Sequence, residues 1–101
     1  MVKIPKKLKV GALYYDVVLD DNYQLSLHCG VTKRSALKIV IDGTLAPAII
    51  EETFIHEILH CAFSQAGFIR VSTEKFEISE EELCERLSPI LHQILKENKL
   101  W

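Results

Sequence analysis

Apolar and polar positions alternate with a period near two over the first half of the chain, then shift after Gly43 to the longer period of helices. Leu8–Val10, then Gly11, then Leu13–Leu19 predict a hairpin or a bend, with Leu13, Tyr15, Val17 and Leu19 on one face. Asp20, Asp21 and Asn22 form a turn. Gln24–Cys29 sets Leu25 and Leu27 against Gln24, Ser26 and His28, a short half-buried strand, and Gly30 to Ser35 reads as a polar loop. Ala36–Ile41 is the clearest strand. Leu37, Ile39 and Ile41 face one way and Lys38, Val40 and Asp42 the other, and Asp42–Gly43 is a turn signal.

A helix follows. Pro47 suits a first turn, where its missing N–H costs nothing, and Gly67 suits the position just past a last helical residue at Ala66. Ile49, Ile50, Ile55, Ile58, Leu59, Ala62, Phe63 and Ala66 cover more than half of its circumference, so it is expected to be buried on several sides. A connector runs to Ile78, with brief extended structure at Phe68–Val71. The last helix opens at Ser79, an N-cap with Glu82 three residues on, a capping box supported by three acidic residues. Leu83, Leu87, Ile90, Leu91, Ile94 and Leu95 form a core stripe. Pro89 inside it predicts a kink, or a restart with Ser88 as a new cap. The expected fold is α+β: a small mostly antiparallel sheet followed by two packed helices, in one domain over residues 1–101.

Composition narrows the function. A chain of 101 residues that is 49% hydrophobic supports one core, with little stability to spare. The net charge of −2 and pI near 6.1 give no basic field for nucleic acid. Lys3, Lys6, Lys7 and Lys9 read as a solvated strand edge. No apolar run reaches membrane-spanning length and the N-terminus lacks a signal-peptide core, so a cytoplasmic protein is expected. Cys29, Cys61 and Cys84 are odd in number without C-x-x-C spacing, which agrees with buried thiols in a reducing compartment.

Thr53–Ala62 changes the picture, because it holds His56, Glu57 and His60 in the order H-E-x-x-H. Residues four apart stand one above the other on a helix, so two imidazoles there can grip one metal ion without strain. Glu57 lies about 100° round from His56, near enough to hold a water on that ion. Zinc takes nitrogen and oxygen ligands tetrahedrally with one position left for water, whose pKa it lowers so that a carboxylate can take the proton. Iron, cobalt or nickel accept the same ligands. The plain alternative is a pair of histidines packed in a core with no metal.

Zinc held by two histidines needs a third protein ligand. His28, His92, Cys84 and the acidic run Glu80, Glu81, Glu82 and Glu85 are the candidates. With Leu87 as the centre of the buried stripe, Glu80 falls about 20° away, Cys84 about 60° and Glu81 about 120°. Glu80 is therefore the acid aimed inward, with Glu81 and then Cys84 as alternatives.

Glu80 also gives the spacing H-E-x-x-H-x19-E, which resembles that of the gluzincins, thermolysin's group of zinc metallopeptidases. The whole chain is similar to small phage or prophage zincin-like proteins and minigluzincins, through E-T-F-I-H-E-I-L-H-C-A at Glu52–Ala62 and the later L-C-x-x-L-S-P-I-L stretch ending at Leu91. The resemblance implies zinc on His56, His60 and Glu80, with Glu57 as general base in hydrolysis of a peptide bond. It implies a peptide or protein substrate; charge and hydropathy are what speak against nucleic acid and membrane as partners. The family also uses a histidine or tyrosine to steady the oxyanion; His92 is the candidate, while His28 reads as solvated. The strand Ala36–Ile41, if it borders the cleft, would pair with an extended substrate. The alternative is a zinc-binding phage accessory or interaction domain with a structural or inactive site. The apolar end Asn98–Trp101 reads as a packing anchor, with a plug in the cleft, and so latency, as the alternative.

Overall fold

In the computed structural model, which describes residues 3–22, 28–66, 71, 72 and 77–101, the opening hairpin forms as its pattern predicts. β1 (Lys7–Val10) and β2 (Leu13–Asp20) run antiparallel, joined by two residues, of which Gly11 has φ +61°. That conformation favours glycine because it has no Cβ. β3 (Gly30–Lys33) and β4 (Lys38–Asp42) are also antiparallel, but β4 lies parallel to β2, giving the order β1-β2-β4-β3. The sheet is therefore mixed, not mostly antiparallel. β3 takes the outer edge and reverses tightly into β4, so β4 slots beside β2 pointing the same way.

Two expectations shift with it. Gly30–Lys33 is a strand rather than a loop, and the strand expected from Ala36 begins at Lys38. A 3₁₀ turn at Arg34–Ala36 and a left-handed Leu37 (φ 49°) take up the reversal. The strand expected over Gln24–Cys29 falls mostly outside the described residues. Cys29 itself precedes β3 and its carbonyl accepts from the Asp42 amide at 2.8 Å.

α1 (Pro47–Ala66) begins and ends where the sequence indicates. It lies on one face of the sheet, packing Ile50, Phe54 and Cys61 against Tyr15, Val17, Ile39 and Ile41. Leu19, expected on that face, is exposed near the strand end. After α1 come two paired two-residue strands, β5 (Val71–Ser72) and β6 (Glu77–Ile78), and then α2 (Glu80–Glu97), which packs along α1. Among the described residues no helix is long and apolar enough to cross a membrane.

α2 is one helix, with Pro89 inside it rather than at a restart. Pro89 is exposed, so the Glu85 carbonyl that loses its donor is on the solvent side, and the Ser88 hydroxyl donates to the Cys84 carbonyl one turn back. The buried face only partly matches the expected stripe: Leu83, Leu91 and Leu95 are half-buried. Cys84 and Ser88 are fully buried, whereas Leu87, Ile90 and Ile94 are exposed. Two small residues allow close approach to α1, and their face lies about 80° round from Leu87.

Candidate metal centre

The middle of α1 and the first turn of α2 face one another across a cleft of about 780 Å³. The Ser79 hydroxyl accepts from the Glu82 amide at 3.0 Å, the expected cap, and this fixes where α2 starts. The next two residues, Glu80 and Glu81, then reach back to α1.

His56 Nε2 and His60 Nε2 lie 3.3 Å apart. Glu81 spans them: Oε1 is 2.8 Å from His56 Nε2 and Oε2 is 2.8 Å from His60 Nε2. Ligand atoms of His56, His60 and Glu81 all fall within 4.8 Å of one another. Zinc–nitrogen bonds of about 2.0–2.1 Å put two nitrogens of a tetrahedral site about 3.3–3.4 Å apart, so the histidine pair fits zinc as it stands. Each Glu81 oxygen need only draw back by about half an ångström from its hydrogen bond to meet the same spacing.

Glu80 does something else. Its Oε2 accepts from His60 Nδ1 at 2.8 Å, on the ring edge away from the cluster. The acid that joins both Nε2 atoms is thus Glu81, not Glu80. With α2 rotated onto its Cys84–Ser88 face, Glu81 comes about 40° and Glu80 about 60° from the centre, one on each side. Cys84 is fully buried one turn further on, and its Sγ is outside this cluster. Burial, aided by Glu80, Glu81, Glu57 and Glu85, holds its thiol neutral, with the pKa pushed up to about 12.

Burial pulls the His60 pKa down, but the Glu80 hydrogen bond and the charges of Glu57, Glu81 and Glu80 outweigh it, so the net shift is upward. Carboxylates on both ring nitrogens favour the protonated form of the His60 ring.

Glu57 is buried, only 4% exposed, and turned towards the histidines, its Oε2 4.0 Å from His56 Nε2. Its Oε1 accepts from the Thr32 hydroxyl at 2.6 Å. Thr32, on β3, is a site residue the sequence reading missed. The β-branched pair Val31–Thr32 signals a strand there, but nothing local ties that strand to α1. The floor of the cleft is Tyr15 and Cys61, both pushed above their ordinary pKa chiefly by burial.

His92 is elsewhere. It donates to buried Glu51 at 2.9 Å, which Lys96 also contacts at 3.1 Å, and it does not line the cleft. His28 does line it and is exposed, as does Arg34. Trp101 is no plug: it packs on Phe54, His92 and Lys96, and its indole N–H donates to the Lys3 carbonyl at 3.3 Å.

Comparison of the chain with protein-family models, curated proteins and solved structures gave no match. The site is therefore read from its own geometry. Two imidazoles and the Glu81 carboxylate could hold a divalent metal, and the Glu57 carboxylate lies alongside them.

Proposed function

We propose that this is a minimal zincin-like metallopeptidase, which would hold zinc on His56, His60 and Glu81 and use Glu57 as general base. The observation that carries the reading is the 3.3 Å separation of the histidine Nε2 atoms with Glu81 spanning them and Glu57 beside them. The H-E-I-L-H helix and its resemblance to gluzincins and small phage zincin-like proteins support it. Glu80 then orients His60 through Nδ1 and raises its basicity, the usual service of a carboxylate behind a ligating histidine.

When bound, zinc supplies a Lewis acid that polarises a carbonyl and lowers the pKa of a water. Glu57 would take a proton at Oε2 from a water whose oxygen bonds the peptide carbonyl carbon, and would hand that proton to the amine nitrogen as the C–N bond breaks. Arg34, which lines the cleft, is the guanidinium an oxyanion would meet, with the His28 ring also in the lining. The substrate strand would lie along β3, the sheet edge bordering the cleft, and not along β4, which is paired on both sides. Three free cysteines suit a reducing cytoplasm.

Glu57→Gln is the direct test. Zinc content should stay at the wild-type level while cleavage of a mixed library of extended peptides falls by about a hundredfold or more. Cleavage at the wild-type rate with zinc retained would sink the assignment. One observation favours a second reading, a structural zinc: the ligands come from both helices, so a metal would clamp α1 to α2. Wild-type protein stabilised by zinc but cleaving no peptide would select it.

A further inference from the structure

β3 takes part in the site twice. Its register opposes Gly30 to Ile41, Val31 to Val40 and Thr32 to Ile39, and one step on, the Asp42 amide donates to the Cys29 carbonyl. Hydrogen-bonded and non-bonded pairs alternate along an antiparallel ladder. Cys29 and Val31 therefore spend their backbone groups on β4, and the N–H and C=O of Gly30 and Thr32 point to the outer edge, where no strand pairs among the described residues. Their side-chain face looks at α1. A Cβ on Gly30 would sit 2.8 Å from Thr53 Cγ2, so glycine is what lets the helix approach the strand this closely. Two residues on, at the same face, the Thr32 hydroxyl donates to Glu57.

We infer that Thr32 is a positioning residue that couples strand pairing by the substrate to alignment of the general base. The inference rests on the peptidase reading above. The hydroxyl of Thr32 engages Oε1 of Glu57 and leaves Oε2 on the His56 side; the backbone of the same residue offers the groups an added strand would bond. An unpaired edge strand retains freedom that a bound strand removes. Whatever freedom Thr32 loses on pairing, the carboxylate it holds loses too. Binding energy from substrate residues remote from the scissile bond thus improves the placement of the base, and appears in kcat rather than in KM.

The test compares Thr32→Val, which keeps the β-branched shape and drops the hydroxyl, with Thr32→Ser, which keeps the hydroxyl. Both are assayed as zinc-loaded full-length protein on an extended peptide that the wild type cleaves. Thr32→Val should bind zinc as wild type does and lower kcat by about tenfold to a hundredfold at a KM changed by no more than about twofold. Thr32→Ser should restore kcat to within about threefold of wild type. Independently of turnover, the side-chain carboxyl ¹³C resonance of Glu57 should move in Thr32→Val and return in Thr32→Ser. Equal losses in both variants, an unmoved Glu57 resonance, or wild-type kcat in Thr32→Val would each overturn the coupling alone. Wild-type protein that binds zinc yet cleaves no peptide would overturn the peptidase reading and take the coupling with it.

Discussion

Glu80 and Glu81 are adjacent in sequence and both touch His60, yet they should fail differently when neutralised. Glu81 contacts both Nε2 atoms at 2.8 Å, so on the proposed reading Glu81→Gln would remove a charged ligand. Glu80 contacts only Nδ1, so Glu80→Gln removes a group that steadies a ligand. Loss of such support typically weakens metal binding by about 10–100-fold, or about 1.4–2.7 kcal/mol. Loss of the ligand itself should exceed that, passing about a hundredfold.

Stability reports the same numbers. With free zinc at about 100 times the wild-type Kd, binding adds about 2.7 kcal/mol to the unfolding free energy. A hundredfold weaker site gains only about 0.4 kcal/mol at the same zinc concentration. Competition with a chelator of known affinity, beside urea unfolding with and without zinc, measures both. Because His60 carries a raised pKa in the metal-free protein, zinc must displace its proton. Affinity should therefore rise with pH until that imidazolium is lost. A larger loss in Glu80→Gln than in Glu81→Gln would exchange the two roles. No loss in either variant, with His60→Ala also unaffected, would refute the metal site.

Away from the cleft, Glu51 is held below its ordinary pKa of 4.5 chiefly by the His92 hydrogen bond, which with Lys96 outweighs burial. A depressed carboxylate pKa stabilises the fold above the unfolded value, and that contribution is lost as pH falls through the folded one. Glu51→Gln should therefore cost about 1–3 kcal/mol at neutral pH in urea unfolding, and its gap from wild type should close below about pH 4.5. A gap unchanged at acid pH would refute the ion-pair account. Trp101→Ala should cost about 2 kcal/mol, less than a fully buried tryptophan, and leave zinc affinity unchanged because the ring lies outside the cleft. Altered affinity would place the C-terminus nearer the site than its contacts allow.

The elements whose evidence is local were legible in the sequence. Gly11 marks the hairpin because one residue's φ decides it; Pro47 bounds α1 because a missing N–H matters only at a first turn; Ser79 and Glu82 mark the start of α2 because a cap spans a single turn. What was not legible is relational. Whether β4 lies beside β2 or β3 alone depends on where β3 goes, and Val31–Thr32 carries that information only as β propensity. The face α2 buries depends on what α1 presents, and here fit outranked hydrophobicity: Cys84 and Ser88 went inside while Leu87, Ile90 and Ile94 stayed out.

That one rotation accounts for the change of candidate third ligand from Glu80 to Glu81. Phase measured from Leu87 puts Glu80 inward and Glu81 at the side; phase measured from the Cys84–Ser88 face brings both to the cleft, with Glu81 the nearer. The histidine pair needed no such reference, since its geometry lies within a single helix. Sites built from i and i+4 residues are written locally, whereas a ligand or a hydroxyl arriving from another element depends on packing. Glu81 and Thr32 both belong to the second kind. Each reaches α1 where small residues permit close approach, Cys84 and Ser88 on α2 and Gly30 on β3. Enlarging any of these three should disturb the site without touching a functional group.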